Sequence, residues 1–379
     1  MNIKVESGVL RSALRVANLC TDNKGGISSN LLFRRRGDTT EVLSKSTRVF
    51  SLSPLTCETE SDGDSSFTVE AWRLTQWVNN IGDNSTITLS YKDGSLTAKS
   101  GRSSVKFRSL DPEGFRTWDS LFDSSVECCK VDPSLVSSAI SAGKVFVSQE
   151  DTIKPENCQL VAWDTFLAST DRKGVCNIIT PYKGLEFRIP SKDIPVVLKF
   201  LDDRDTVNRE LIVRGSKRTK DEGGAEFDFF VRPDGSYLGV SRLALVPKMV
   251  MAPDKDHETH AVITVRGEEF QKALSFLQSS APAGHPSVKF TTLSGDVSLS
   301  MPSAAGGEDH HPMVSTNSTG GDLSFFLEHH YITSLFGLFG LKQLELGVFR
   351  SGDKGYVTFN HADPLSDKNS YSVALLCHF

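Results

Sequence analysis

No long apolar run occurs in this sequence of 379 residues. The longest runs, such as Ala374–Cys377, fall far short of the roughly 20 apolar residues that a membrane-spanning helix requires. The N-terminal segment MNIKVESGVLRSALR alternates apolar and polar residues and then becomes helical, which is not the pattern of a signal peptide. These absences predict a soluble, cytoplasmic protein.

The cysteines show neither a CxxC pair nor the spacing of a disulfide framework. A chain of this kind in a reducing cytosol keeps its thiols free. We therefore expect seven free thiols, at Cys20, Cys57, Cys128, Cys129, Cys158, Cys176 and Cys377.

An excess of positive charge is also missing. The 42 lysines and arginines are outnumbered by 47 aspartates and glutamates, which gives a formal net charge of -5. Such a chain has no overall attraction to nucleic acid. Any surface that binds phosphate groups must therefore be local.

Motifs of metal-dependent, nucleophilic and nucleotide-binding enzymes are absent as well. No histidines have the HExxH spacing, no serine lies in a GxSxG elbow, and no Walker loop surrounds Gly143-Lys144. The loop Lys99–Ser104 precedes alternating residues such as Val105 and Phe107, which predict a hairpin rather than a phosphate-binding loop. We expect no metal, no cofactor and no enzymatic activity. The paired histidines are interpreted as solvated side chains: His257 and His260, His310 and His311, and His329 and His330.

Amphipathic helices recur along the chain, and segments with strand-like alternation follow each of them. One series starts near Val9, Ser134 and Glu268, and the other lies within FTVEAWRLTQWVNNIG, FRIPSKDIPVVLKFLDD and SFFLEHHYITSLFGLFG. The pattern predicts an α+β protein with three similar domains, 1–122, 123–252 and 253–379, each of two helices packed on antiparallel sheets. We expect aperiodic linkers at LDPEGFRTWDSLFDSS and PKMVMAPDKDHETH, and a mobile loop at 302–322, which is rich in Gly, Ser and Thr.

Basic residues lie on the outward faces of these predicted helices, which hold few acids. On the first helix, Arg11, Arg15 and Asn18 share the face opposite the leucines. The other basic residues of this set are Lys24 in the following loop and Arg73, Lys144, Lys192 and Lys199 on or beside later helices. Any single helix could be an ordinary solvated face. The repetition favours a surface that faces phosphate groups.

Three segments resemble a known family, the bacterial sliding clamp, which is the beta subunit of DNA polymerase III. SLTAKSGRSSVKFRSLDPEGF resembles the hairpin that closes the family's first domain, FLASTDRKGVCNI resembles its segment ATDGHRLA, and YSVALLCHF ends the chain where the family has YVVMPMRL. The resemblance covers the whole chain at low identity. It implies the DNA clamp fold and a head-to-tail homodimer of three-domain subunits, a ring whose helices line a hole around duplex DNA. The implied partners are duplex DNA without base specificity, a DNA polymerase and a clamp loader.

The resemblance also implies a pocket, between the second and third domains, for a short peptide from polymerases and the clamp loader. Carried over by position, its residues are Thr170, Lys173, Val175, Arg242, Leu243, Val373, Ala374, Leu375 and Leu376. Arg172 stands where the family has glycine, and Gly174 stands where it has arginine. These departures indicate a divergent clamp with an altered peptide preference, and we expect it to be encoded by a phage with its own polymerase.

Two other functions stay open at this point. A clamp-like ring could act mainly as a docking hub for repair or late transcription, and a mixed α/β chain could be an enzyme acting on a small molecule. The missing catalytic constellation argues against the enzyme. The function favoured by the sequence is a DNA polymerase processivity factor, which encircles duplex DNA and tethers the polymerase.

Overall fold

A computed structural model describes residues 1–22, 25–61, 63–150, 152, 154–171, 174–203, 205–206, 209–215, 226–243, 259–284, 287–313, 317–339, 343–351, 354–362 and 370–378. The chain forms two compact units. Unit 1 comprises Met1–Ser137 and Gly184–Leu243, and unit 2 comprises Ser138–Lys183 and Ala244–Phe379. Within the described ranges, no helix is both long and apolar enough to cross a bilayer. The expected domain boundary near Pro253 lies outside the described residues.

All six helices predicted from the repeated pattern are present, and a short additional helix lies in the first predicted linker. The helices are α1 (Ser7–Ala17), α2 (Ala71–Asn79), α3 (Asp119–Asp123), α4 (Pro133–Gly143), α5 (Ile194–Leu201), α6 (Gly267–Ser280) and α7 (His329–Phe339). Single 3₁₀ turns occur at Asn18–Cys20, Ile27–Ser29, Pro112–Gly114, Lys144–Phe146 and Pro155–Asn157. Helix α1 buries Leu10, Ala13, Leu14 and Ala17, as their spacing predicts.

The strands of unit 1 are β1 (Asn2–Glu6), β2 (Asn30–Arg36), β3 (Thr39–Lys45), β4 (Val49–Pro54), β5 (Glu58–Glu60), β6 (Ser65–Glu70), β7 (Thr86–Lys92), β8 (Ser95–Ser100), β9 (Ser103–Arg108) and β10 (Val126–Val131), followed after a segment of unit 2 by β14 (Leu185–Pro190), β15 (Leu211–Gly215), β16 (Phe227–Val231) and β17 (Tyr237–Ser241). The strands of unit 2 are β11 (Gln159–Asp164), β12 (Phe166–Thr170), β13 (Gly174–Ile179), β18 (Thr259–Arg266), β19 (Ser287–Leu293), β20 (Asp296–Pro302), β21 (Glu308–Met313), β22 (Asn317–Gly320), β23 (Leu323–Glu328), β24 (Gln343–Ser351), β25 (Lys354–Ala362) and β26 (Ser370–His378).

One sheet of unit 1 has the order β5-β1-β7-β8-β9 and is antiparallel throughout. Its inner face packs on α1, α2 and strands β2 and β6, with Phe33 and Phe67 stacked at a ring distance of 5.1 Å. Strands β8 and β9 form the predicted hairpin, in which Ser100 lies opposite Ser103. Gly101 has a φ of 55° at this turn, which glycine adopts without steric strain.

The second sheet of unit 1 has the order β10-β15-β16-β17-β4-β3-β2-β6. It runs without interruption from the predicted first domain into the predicted second domain, because β17 pairs with β4. At this junction Gly239 lies opposite Phe50, and a Cβ on Gly239 would be only 2.5 Å from the Phe50 ring. The close approach of strand and ring therefore requires glycine.

The first predicted linker contributes to the core, although its sequence is aperiodic. A cluster of aromatic side chains on the eight-stranded sheet includes Phe50, Phe229 and Tyr237, and Trp118 and Phe122 from the linker pack against it. Trp118 stacks on Phe50 at 5.0 Å, and Phe122 stacks on Tyr237 at 4.1 Å. The segment shows no hydrophobic periodicity because it consists of a 3₁₀ turn and the five-residue helix α3, which are too short to display one. Burial of its aromatic side chains holds it in place.

Unit 2 contains a run of antiparallel strands in the order β11-β12-β13-β26-β23-β19-β20-β21. Strand β18 pairs with β22 and β24, and β25 pairs with β24 and β26. The expectation of a mobile loop over 302–322 is wrong, since strands β21 and β22 lie within it. His311 lies opposite Leu299 and Met313 opposite Val297. Ladder hydrogen bonds join backbone groups, so a composition rich in Gly, Ser and Thr did not prevent this pairing.

All seven cysteines have free thiols, as the spacing predicts. Three of them, Cys20, Cys176 and Cys377, are buried. Burial raises the pKa of the Cys20 and Cys176 thiols to about 12, because the thiolate would lose its hydration. These two side chains behave as small apolar groups.

Candidate DNA interface and partner pocket

Arg11, one of the predicted phosphate ligands, binds the C-terminal end of helix α2. Its Nε donates to the carbonyl of Val78 at 3.3 Å, and its Nη atoms donate to the carbonyl of Ile81 and the carboxylate of Asp83. The last carbonyls of a helix have no partner within that helix, and a cationic side chain there satisfies them and favours the negative end of the helix dipole. Arg11 therefore joins α1 to α2.

Arg15 makes the corresponding contact with the turn that follows helix α5. Its Nη2 donates to the carboxylate of Asp205 and to Ser12 Oγ at 3.1 Å, and its Nε lies 3.7 Å from Asp203. Asp203 is also 3.4 Å from the buried guanidinium of Arg232. Two arginines thus face two aspartates, and the acids come from a turn rather than from a helix face.

Arg232 lies behind this cluster and fixes its geometry. Its guanidinium is 4.3 Å from the centre of the Phe200 ring, and it donates to the Phe200 carbonyl at 3.2 Å. Burial lowers the pKa of Arg232, although the neighbouring aspartates, of which Asp203 acts most strongly, oppose that effect. The turn after α5 is consequently held from both sides by arginine.

The other predicted phosphate ligands that the structure describes are more exposed to solvent than Arg11 and Arg15. Lys144, Lys192 and Lys199 are exposed, and Arg73 is half exposed with its guanidinium 3.6 Å from Glu70. Lys24 lies outside the described residues. Lys272 is exposed on α6 and was missed, although its place on the polar face of that predicted helix could have indicated it. Contact of these residues with DNA stays a prediction.

Several residues predicted for the partner pocket lie where β12, β13 and β26 are side by side. Thr170 is the register partner of Val175, and Val175 is the register partner of Ala374. Thr170 Oγ1 donates to the Gly174 carbonyl at 2.9 Å, while the Val175 side chain stays half buried. The structure therefore brings these three positions together on one face of the sheet.

The Leu375 side chain points to the opposite face of the sheet from Thr170 and Val175. It is the register partner of Gly174, is only 1% exposed, and has Cδ2 about 3.2 Å from where a Gly174 Cβ would lie. Leu375 belongs to the core and does not line an open groove. Lys173 lies outside the described residues. Val373 and Leu376 are register partners of Cys176 and Tyr356.

Packing leaves no room for a side chain at Gly174, where the sequence resemblance places an arginine. A Cβ on Gly174 would be 2.6 Å from the Phe146 ring, which stacks on Tyr331 at 5.3 Å. Tyr331 donates its hydroxyl to Asp171, whose other carboxylate oxygen accepts the Gly174 amide at 2.9 Å. Burial raises the pKa of Tyr331, and the Asp171 carboxylate adds to that effect. This cluster was not predicted, because its members are far apart in the chain.

Arg242 is held inside unit 1 by three carboxylates. Its Nη2 lies 2.6 Å from Asp228, and its Nη1 lies 3.1 Å from Glu186 and 3.4 Å from Glu226. The Arg242 side chain is 8% exposed and the Asp228 side chain is fully buried. Burial raises the pKa of Asp228 to about 6, an effect that the guanidinium opposes. Arg242 therefore acts as a structural counter-ion, and the following residue, Leu243, is partly exposed.

Two strands at sheet edges differ in charge. In the described part of the chain, β9 and β21 each end the order of their strands. Lys106 and Arg108 share the exposed face of β9, whereas Glu308 and His310 share the exposed face of β21. Across the same part of the chain, no group of three or more His, Cys, Asp or Glu side chains could hold a metal ion.

Comparison with known proteins identifies the fold. No family model and no curated protein sequence matches the chain. Among solved structures, the beta subunit of DNA polymerase III from Pseudomonas aeruginosa matches with a TM-score of 0.80 at 15% identity, covering 100% of both chains. The Caulobacter crescentus pol III beta matches with a TM-score of 0.81 at 18% identity over 99% of both chains. The Thermotoga maritima beta subunit matches with a TM-score of 0.78 at 16% identity over 99% of this chain and 98% of that one. This chain therefore has the α+β fold of the bacterial DNA polymerase III beta subunit, the sliding clamp, as its sequence motifs indicated.

Proposed function

We propose that this chain is a DNA sliding clamp, a processivity factor without enzymatic activity that encircles duplex DNA and tethers a DNA polymerase. The observation that carries the proposal is the clamp fold, which extends over 99–100% of the chain rather than over a single domain. Each subunit contributes three domains to a cytoplasmic homodimeric ring. A clamp loader opens the ring, and the departures around Gly174 suit a phage-encoded clamp with its own polymerase.

The mechanism is topological. A closed ring stays on DNA because it surrounds the duplex, so it needs no tight grip and no reading of bases. Exposed basic side chains such as Arg73, Lys144 and Lys199 make weak, exchangeable contacts with phosphates. Such contacts position the ring and still let it move along the duplex.

The edges β9 and β21 support a head-to-tail contact between two copies of the chain. An unpaired edge strand offers its backbone groups to another strand, and both edges here are six residues long. In an antiparallel pairing of β9 with β21 that sets Arg108 opposite Glu308, the opposite charges attract. Two copies of the same edge strand would instead bring like charges together, which repel. Phe276, 54% exposed on α6, contacts His311 of β21 and adds apolar area beside the strand.

A charge exchange tests this contact. Lys106→Glu with Arg108→Glu forms one variant, and Glu308→Lys with His310→Lys forms the other. We expect light scattering to show the wild type at twice the chain mass of 41.5 kDa and each variant alone as a monomer. Mixing the two variants restores attraction at both contacts of the ring, so a dimer returns. Dimers of each variant alone, or a mixture that stays monomeric, would contradict the edge assignment.

The same two variants test encirclement without a loader. Mixed in the presence of nicked circular duplex DNA, they should close around it and remain bound through a high-salt wash that removes phosphate contacts. Cutting the circle should release them, and adding the circle after mixing should give little retention. Equal retention on linear and circular DNA, or none on the circle, would refute the ring.

A further inference from the structure

Helix α1 carries two arginines on its outward face, and both are already neutralised by aspartates from other elements. We propose that Asp83 and Asp205 withhold Arg11 and Arg15 from DNA phosphates and so limit how strongly the ring grips the duplex. This inference rests on the proposed sliding-clamp function. Arg11 and Arg15 then act as positioning residues for the helices, and more exposed basic side chains contact the phosphates.

Every nitrogen of the Arg11 guanidinium already has an acceptor. Two are backbone carbonyls of the α2 end, Val78 and Ile81, and the third is the Asp83 carboxylate. The Arg11 side chain is 22% exposed, whereas that of Asp83 is 85% exposed. A DNA phosphate approaching Arg11 therefore meets the negative charge of Asp83 and would have to displace existing hydrogen bonds. Both effects weaken binding.

Arg15 is balanced in the same way. Asp205 accepts from its Nη2 and also from Ser12 Oγ, and Asp203 lies close to both Arg15 and Arg232. Two positive and two negative side chains leave this cluster without surplus charge. The attraction of a DNA phosphate to the two arginines at this site is no larger than its repulsion by the two aspartates.

Lys199 on α5 and Lys272 on α6 are different. Both are exposed, and in the described part of the chain neither takes part in an ion pair. Each of their ammonium groups can neutralise a DNA phosphate and so release a counter-ion that was condensed on the DNA, which is the source of salt-dependent affinity. The ring therefore holds DNA through exposed basic side chains such as these lysines, while the arginines of α1 hold helices together.

The experiment measures binding of the full-length protein to a short duplex by fluorescence anisotropy over a series of salt concentrations. Asp83→Asn and Asp205→Asn should each raise the affinity and steepen the slope of log K against log salt, by about 0.9 for each additional phosphate that the protein neutralises. Arg11→Ala should leave the slope unchanged and lower the melting temperature. Lys199→Ala should reduce the slope by about 0.9, because one phosphate is no longer neutralised. Asp38→Asn, on the exposed turn between β2 and β3, removes the same charge elsewhere and should leave the slope unchanged.

Three results would overturn the inference. One is an Asp83→Asn slope and affinity equal to those of the wild type, and another is a decrease of slope in Arg11→Ala as large as in Lys199→Ala. An increase in the Asp38→Asn control equal to that of Asp83→Asn would overturn it too, because net charge would then explain the effect. Retention on circular DNA distinguishes a failure of this inference from a failure of the proposed function. A ring that encircles DNA but ignores Asp83→Asn refutes only this inference, whereas a chain that fails to encircle DNA refutes the proposed function.

Discussion

Removing the Arg242 side chain tests whether this residue stabilises the fold or binds a partner. In Arg242→Ala the carboxylate of Asp228, which is fully buried, loses its counter-ion and keeps the Arg188 backbone amide, at 2.8 Å, as a donor. Breaking a buried ion pair from one side destabilises a protein by about 3–5 kcal/mol, because an uncompensated charge remains inside. Replacing both partners, as in Arg242→Met with Asp228→Leu, removes that charge and should recover much of the stability.

The effect should depend on pH in a defined direction. Asp228 has a pKa of about 6 in the folded chain, above the ordinary aspartate value of 3.8. A carboxyl group whose folded pKa is raised stabilises the fold when protonated, and that contribution disappears as the pH rises through the folded value. Removal of Arg242 raises this pKa further. The destabilisation should therefore be smaller near about pH 5 than near about pH 8.

The assay is urea unfolding followed by circular dichroism at both pH values, for the wild type, Arg242→Ala and the double variant. An Arg242→Ala chain that unfolds at the wild-type urea concentration at the higher pH would refute the structural role. If that stable variant also failed to stimulate the polymerase, Arg242 would belong to the partner pocket after all.

Three further outcomes follow from the packing and exposure of particular residues. Gly174→Ala should lower stability by about 1–3 kcal/mol, because the new methyl group overlaps Phe146, and calorimetry showing an unchanged melting temperature would contradict this. Leu243→Asp should abolish stimulation of the polymerase in primer extension while leaving the dimer intact, and undiminished extension would remove Leu243 from the pocket. In Ellman's assay of the native chain, the four partly exposed thiols should react before the three buried ones, and seven equally fast thiols would be inconsistent with the burial seen here.

Local patterns were sufficient for much of the fold. Helix α1 follows from the spacing of Leu10, Ala13, Leu14 and Ala17, and the β8–β9 hairpin follows from alternation on either side of Gly101. Both depend on neighbours within a few residues, which a sequence displays directly. The clamp fold itself was implied by the resemblance of three short motifs to the sliding-clamp family, the six-fold recurrence of helices agreed with it, and the structural comparison confirmed it.

Long-range contacts settled the rest. The acids that neutralise Arg11 and Arg15 lie 72 and 190 residues away in the chain, and the partner of Asp171 lies 160 residues away. A helix face that looks basic in sequence is therefore electrically balanced once folded. Leu375, expected at a pocket, is buried because Gly174 opposite it leaves room for its side chain. Periodicity records which face of an element is apolar, but charge balance and pocket shape depend on which elements meet, and that is a property of the packed chain.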